Sequence, residues 1–126
     1  MARKLLVDTS AWVEHFKGKT NKVAIAALDE RTVLVSHPMV LAELALGGVA
    51  ANSEVMKHLK ELRGLSAVSH LELMEFIEKR GLRGRGIGYV DANLLASCLL
   101  NQAELLSFDH KLNNTASIIE VSIYQK

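Results

Sequence analysis

Lys4-Leu5-Leu6-Val7-Asp8-Thr9-Ser10 is the stretch whose reading decides the fold. A short apolar run ends abruptly in an acid, and two hydroxyl residues follow. Leu5, Leu6 and Val7 read as a buried strand, because a strand covered on both faces is continuously apolar rather than alternating. Asp8 then stands at the carboxyl end of that strand, the edge at which open α/β sheets bind ligands. Thr9 and Ser10 suit the cap of a helix beginning near Ala11. A carboxylate in this position is expensive to bury unless it is paired, hydrogen-bonded or bound to a cation. The fold question therefore becomes which other residues come to meet Asp8.

Three further acids stand in similarly apolar surroundings. Glu43 lies within Met39-Val40-Leu41-Ala42-Glu43-Leu44-Ala45-Leu46, Asp91 opens Asp91-Ala92-Asn93-Leu94-Leu95-Ala96, and Asp109 follows Leu105-Leu106-Ser107-Phe108. Each has a plain reading of its own. Asp8 alone is as readily a helix cap, Asp91 a first-turn acid favoured by the helix dipole, Asp109 a loop acid and Glu43 a solvated helix edge. Their combination and order carry the signal. Brought together, they would form a pocket of strong negative potential suited to a hard divalent cation such as Mg²⁺ or Mn²⁺. Without a cation, like charges so close would raise some of the carboxylate pKa values.

The 126 residues suit a single domain, spanning 1–126, and a hydrophobic fraction of 49% is enough to bury a core. With a formal net charge of +1, overall charge does not announce a nucleic-acid binder. Cys98 is the single cysteine, so no internal disulfide is expected and a reducing, cytoplasmic setting fits. No segment approaches the roughly 18 uninterrupted apolar residues of a membrane span. Asp8 interrupts the first apolar run too early for a signal peptide.

Along the chain, strand and helix signals alternate. Ala11 to Phe16 reads as a short helix stopped at Lys17-Gly18-Lys19, and Asn21 as the cap of a helix over Lys22 to Glu30. Thr32 to Ser36 is β-branched and reads as the second strand. Pro38 fits the first turn of the helix that carries Glu43 and stops at Gly47-Gly48. Asn52 to Leu62 predicts a helix with Val55, Leu59 and Leu62 on one stripe. Ser69 and Glu72 form a capping box for a helix through Arg80, with Leu73, Phe76 and Ile77 inward. The helix after Asp91 has Ala92, Leu95, Ala96 and Leu99 at helical spacing. Glu104 to Phe108 predicts a strand, Asp109 to Leu112 a helical turn and Ile118 to Val121 a last strand. The alternation implies an α/β sandwich around a mostly parallel sheet.

Other features carry less. His15, His37, His58, His70 and His110 show no metal-ligand spacing. Cys98 lies inside an apolar helix as a small packed side chain. There is no phosphate-binding loop or nucleophile elbow. The stretch Gly81-Leu82-Arg83-Gly84-Arg85-Gly86-Ile87-Gly88 reads either as a solvated connection or as a lip whose Arg83 and Arg85 contact phosphates beside an acidic centre.

Taken together, Leu-Leu-Val-Asp8-Thr9-Ser10-Ala-Trp, the internal Glu43 with Gly47 nearby, Asp91-Ala-Asn-Leu-Leu-Ala and Leu-Leu-Ser107-Phe-Asp109 resemble the PIN-domain pattern. Within it they resemble the VapC-type toxins of prokaryotic toxin–antitoxin pairs. The resemblance covers nearly the whole chain. It implies a three-layer α/β/α sandwich around a mostly parallel sheet, and a Mg²⁺- or Mn²⁺-dependent endoribonuclease. Asp8, Glu43, Asp91 and Asp109 match the acidic quartet. Ser10 matches the small hydroxyl residue that supports it, and Ser107 stands where Thr or Ser often precedes the last acid. Asn93 departs from the apolar residue many relatives carry. The resemblance also implies an RNA substrate, a homodimer and a cognate antitoxin that covers apolar surface, with Trp12, Val13, Phe16 and the helices near residues 39–62 as exposed candidates. Two other readings use the same residues: a metal-dependent DNA nuclease or phosphatase, and a non-catalytic RNA-binding PIN module. The aspartyl-nucleophile phosphatases require a second Asp two residues after the first, where this chain has Ser10.

Overall fold

The apolar run Leu5-Leu6-Val7 forms the last part of β1 (Arg3–Val7), and all three side chains are buried, as a central strand covered on both faces requires. The computed structural model describes residues 3–16 and 31–124. Beside β1 lie β2 (Thr32–Val35) and β3 (Glu104–Leu106), in the order β2-β1-β3. Both pairings are parallel, with Leu5 opposite Leu34 on one side and Glu104 on the other. The described helices are α1 (Thr9–Phe16), α2 (Pro38–Leu46), α3 (Glu54–Glu61), α4 (His70–Arg80), α5 (Tyr89–Asn101) and α6 (His110–Ile118). The helix expected over residues 22–30, and its stop signal at 17–19, lie outside the described residues.

The strand order places the site. From β1 the chain leaves toward β2. From β3 it leaves outward, where Ile123 forms a parallel bridge to Leu105. The connections diverge between β1 and β3, so their carboxyl ends form the topological switch point, the edge at which an open parallel sheet places its ligand crevice. Asp8 immediately follows β1, and Ser107 immediately follows β3.

Local signals set several helix ends. Pro38 occupies the first turn of α2, and His37 caps it by accepting the Met39 N–H on Nδ1 at 3.1 Å. That assignment leaves the proton on Nε2, which donates to Ser97 Oγ at 2.9 Å, and Ser97 in turn donates to the Ser66 carbonyl at 2.9 Å. Burial holds His37 neutral, lowering its pKa to about 4. Ser69 and Glu72 complete the expected capping box on α4, and Gly81 ends that helix in the left-handed region at φ 66°. Asn93 is wholly buried on α5, where its amide accepts from the Val68 N–H and donates to the Val68 carbonyl, both at 3.1 Å. It fastens the extended segment before α4 to the core.

The structure differs from the sequence reading at three places. The segment expected to be a last strand, Ile118 to Val121, instead closes α6, and strand pairing is displaced to residues 122–124. The β-branched residues there suggest a strand, but Leu112, Ala116 and Ile119 are buried at i, i+4 and i+7, and the helical stripe prevails. For the same reason the single turn expected after Asp109 is a full helix. On α3 the buried stripe is Met56 and Leu59, while Val55 is exposed. Trp12, which reads as core or as exposed contact surface, is buried and stacked on Phe16 at 5.8 Å between ring centroids; Val13 and Phe16 are exposed as expected.

Asn93→Leu removes both partners of a backbone N–H and C=O at Val68. The expected loss of stability is about 2–4 kcal/mol by denaturant unfolding, the sum of two desolvated and unpaired groups. A loss below about 0.5 kcal/mol would show that Val68 finds other partners.

Candidate active site

Asp8 is the anchor. Its backbone N–H pairs with the Leu106 carbonyl at 3.0 Å, extending the β1–β3 ladder by one step and fixing the carboxyl group over the crevice. The carboxylate then accepts three hydrogen bonds. The Ala11 N–H reaches Oδ1 at 3.0 Å, so of the cap candidates Asp8, Thr9 and Ser10 it is Asp8 that caps α1. Ser10 donates its hydroxyl to Oδ1 at 2.7 Å, and Ser107 donates to Oδ2 at 2.6 Å. Each serine oxygen is oriented by a backbone amide: Phe108 N–H donates to Ser10 Oγ at 3.1 Å and Asp109 N–H to Ser107 Oγ at 3.0 Å. Two parallel relays thus run from the turn after β3 through a hydroxyl to one Asp8 oxygen each.

Burial raises the Asp8 pKa; the bonds from Ser107, Ser10 and Ala11 oppose that, and the charge of Asp109 adds to it. Charge-assisted hydrogen bonds of this kind are about twice as strong as neutral ones, so they hold the carboxylate in one orientation.

The other acids arrive on separate elements. Glu43, half-buried on α2, accepts the Thr9 hydroxyl on Oε1 at 2.6 Å, which ties α2 to the first turn of α1. Asp91 stands half-buried in the first turn of α5 and accepts the Gly88 backbone N–H. Asp109 caps α6, taking the Lys111 and Leu112 N–H groups on Oδ1 at 2.9 and 3.2 Å. The four are electrostatically one cluster. The Asp91 pKa is raised to about 6, first by burial and then by the charges of Asp109, Asp8 and Glu43. Among the described residues, none of the four acids is paired with a lysine or arginine.

As the side chains stand, no set of three or more His, Cys, Asp or Glu residues among the described ones converges closely enough to cage a metal ion. The donor chemistry nevertheless suits a hard divalent cation: only carboxylate oxygens, an excess of negative charge without a protein counter-charge, and a raised Asp91 that a cation would relieve.

Arg83 and Arg85 lie on the exposed loop between α4 and α5. Arg83 pairs with Glu78, and Arg85 Nε donates to the Gly81 carbonyl at 3.2 Å. Both are therefore engaged at the end of α4. Two supporting residues were missed by sequence reasoning. Thr9, read only as a cap, orients Glu43. Asn113 donates to the Ser107 carbonyl at 2.9 Å and steadies the turn that carries the serine relay. Its position four residues after Asp109, one helical turn along α6, is the only trace of this in the sequence.

The cluster makes the metal-free protein pay for its charge as pH rises. A carboxyl raised above its unfolded value binds its proton more tightly in the folded state. Asp91 therefore detracts from stability above pH about 6 and contributes no penalty below its ordinary value near 3.8. In the presence of a chelator, Asp91→Asn is expected to stabilise the protein at pH 7.5 by about 1 kcal/mol, a figure reduced for solvent screening at a half-buried site. The gain should vanish by pH 4. Thermal unfolding across that range checks it, and destabilisation at pH 7.5 would mean that the four charges are not crowded.

Residues 5–118 match the PIN domain family. Over 109 residues the chain is 38% identical to ribonuclease VapC32 of Mycobacterium tuberculosis, covering 86% of each protein. Among solved structures, VapBC-1 from nontypeable Haemophilus influenzae shares the fold at a TM-score of 0.69 with 19% identity, over 97% of both chains. The VapC20 toxin of Mycobacterium tuberculosis shares it at 0.61 with 19% identity, over 87% of this chain and 93% of that one. An Asp directly after the central strand, a Glu on α2, an Asp in the first turn of α5, an Asp capping α6 and a family match across almost the whole described core lead to one assignment: the chain belongs to the PIN-domain family.

Proposed function

We propose that this protein is a VapC-type toxin, an endoribonuclease that hydrolyses RNA phosphodiester bonds with the aid of Mg²⁺ or Mn²⁺. The single observation that carries this is the double serine relay onto Asp8, set among three further acids drawn from α2, α5 and α6. A binding module would have no use for four crowded acids beside a polyanion. A structural domain would not maintain a carboxylate raised by its neighbours. The likeness to ribonuclease VapC32 supports RNA as the substrate class.

In this reading Asp8 and Asp91 hold the metal, and Glu43 and Asp109 contribute directly or through water. When bound, such a cation lowers the pKa of a coordinated water and screens charge on the phosphate. The chain's own residues do the positioning. Ser10 and Ser107 keep both Asp8 oxygens aimed at the crevice. Thr9 fixes the Glu43 carboxylate. Asp91, whose carboxyl is raised by burial and by the charges of Asp109, Asp8 and Glu43, is the acid whose crowding a bound cation would relieve most directly.

The partner we propose is an antitoxin protein whose apolar segment covers the exposed Val13, Phe16, Leu46 and Val55 on α1, α2 and α3. The structures of VapBC-1 and of a VapBC2 complex from Rickettsia felis support a two-component arrangement. A homodimer would use apolar surface such as Leu71, Met74 and Leu100 on α4 and α5. No helix among the described residues is long and apolar enough to cross a membrane. The buried, unpaired Cys98 accords with a cytoplasmic setting.

Purified protein freed of any antitoxin should cut total RNA into discrete fragments with Mg²⁺ or Mn²⁺ and not with EDTA. Asp8→Ala or Asp91→Asn should lower cleavage by about 10²–10³-fold, the size of losing one preorganised electrostatic group, while remaining folded. Ser107→Ala should weaken metal affinity about 10–100-fold, as loss of a group orienting a metal ligand does. Cleavage of single-stranded DNA or a phosphomonoester in place of RNA would overturn the substrate, and full activity in Asp91→Asn would overturn the site.

A further inference from the structure

The acidic crevice must admit a polyanion, yet the two arginines nearest it in sequence are engaged at the end of α4. Arg83 is paired with Glu78 and Arg85 with the Gly81 carbonyl. A different cation crosses the same loop. Lys111 belongs to the first turn of α6, two residues after Asp109, and its backbone N–H is one of the two that Asp109 caps. Its side chain lies along Gly86, in the loop that leads into Asp91. A side-chain carbon placed on Gly86 would stand 3.2 Å from Lys111 Cδ and 3.6 Å from Nζ, so the lysine stem runs close along the glycine backbone. Gly86 also has φ +80°, where other residues are strained. Lys111 is exposed, and among the described residues its ammonium has no carboxylate partner.

These observations describe a cation held in place. The aliphatic stem rests on backbone and the charged end is free, at the rim between the elements that carry Asp109 and Asp91. A lysine whose stem is already seated loses less freedom when it meets an anion than one waving in solvent. Its compact charge suits a single phosphate.

We propose that Lys111, seated on Gly86, is a substrate-positioning residue that contacts a backbone phosphate of the RNA next to the scissile bond's site. This rests on the ribonuclease reading above. Because the contact is to the sugar–phosphate backbone, it contributes affinity and register and carries no sequence preference.

The test compares wild type, Lys111→Ala, Lys111→Arg and, as a control for diffuse charge, Lys79→Ala on α4. Binding to a fluorescein-labelled mixed-sequence single-stranded RNA is measured by anisotropy in EDTA, where no cleavage is expected, over a series of salt concentrations. Cleavage of the same RNA is then measured with Mn²⁺. Lys111→Ala should bind about fivefold more weakly, and its plot of log affinity against log salt should flatten by about 0.7, the value for one phosphate contact on a single strand. KM should rise by a similar factor with kcat within about twofold. Lys111→Arg should restore both, and Lys79→Ala should change neither.

Unchanged affinity and slope in Lys111→Ala, with wild type still binding and cleaving, would overturn the inference and leave the ribonuclease reading intact. An equal effect from Lys79→Ala would reduce Lys111 to part of the general charge and overturn it as well. A wild type that neither binds nor cuts RNA would remove the reading on which the inference rests.

Discussion

Everything at the crevice depends on how the Asp8 carboxylate is held. An acid after a buried strand has three options: reach solvent, lose its proton deficit, or be satisfied in place. Asp8 is satisfied in place, by the Ala11 amide and by the hydroxyls of Ser10 and Ser107. Those hydroxyls are themselves fixed by the amides of Phe108 and Asp109. The relays join the ends of β1 and β3, which are far apart in sequence and adjacent in the sheet. The same turn delivers Asp109 to the rim. A single hydrogen-bonded junction therefore closes the sheet edge, caps α1 and aims the first carboxylate.

The remaining acids are placed by helices that the core holds tightly. Asp91 rides on α5, whose residues Ala92 to Cys98 are all buried. That helix is secured through Asn93 to Val68 and through Ser97 to His37. Rigidity matters here because the crowded carboxylates repel one another, and a looser scaffold would relax by letting them move apart. Two groups in this network respond to acid in opposite senses. His37, held neutral with its pKa near 4, contributes stability that is complete above pH about 6.5 and falls as the pH drops toward 4. Asp91 does the reverse between pH about 4 and 6. His37 and Asp91 thus pull the acid side of the stability profile in opposite directions.

Much of this was legible in the sequence because it rested on local chemistry. The run Leu5-Leu6-Val7 ending in Asp8, the proline opening α2 and the Ser69–Glu72 box each signal through neighbours a few residues away, and each stands as read. What was hidden depended on tertiary context. Ile118 and Ile119 have strand-like side chains, but the α6 stripe beneath them sets the helix. Trp12 on its short helix reads as core or as contact surface, and the fold decides for the core. Thr9 and Asn113 orient the site through bonds to residues that only the fold brings near. The approach of Lys111 to Gly86 joins the first turn of α6 to the loop before α5, two segments distant in sequence. The arginines of the Gly81–Gly88 stretch drew attention by composition, yet both have partners at the end of α4.

In the proposed site, the relay-held Asp8 and its three neighbouring acids bind a divalent cation that relieves their crowding. Calorimetric titration of Mn²⁺ into the chelator-stripped wild type and into Asp8→Asn tests it most directly, because it requires no knowledge of the RNA. The account predicts saturable binding by the wild type at pH 7.5, accompanied by a rise in melting temperature, with both lost in Asp8→Asn. Equal binding by the two proteins, or no saturable binding by a wild type that is folded, would contradict it.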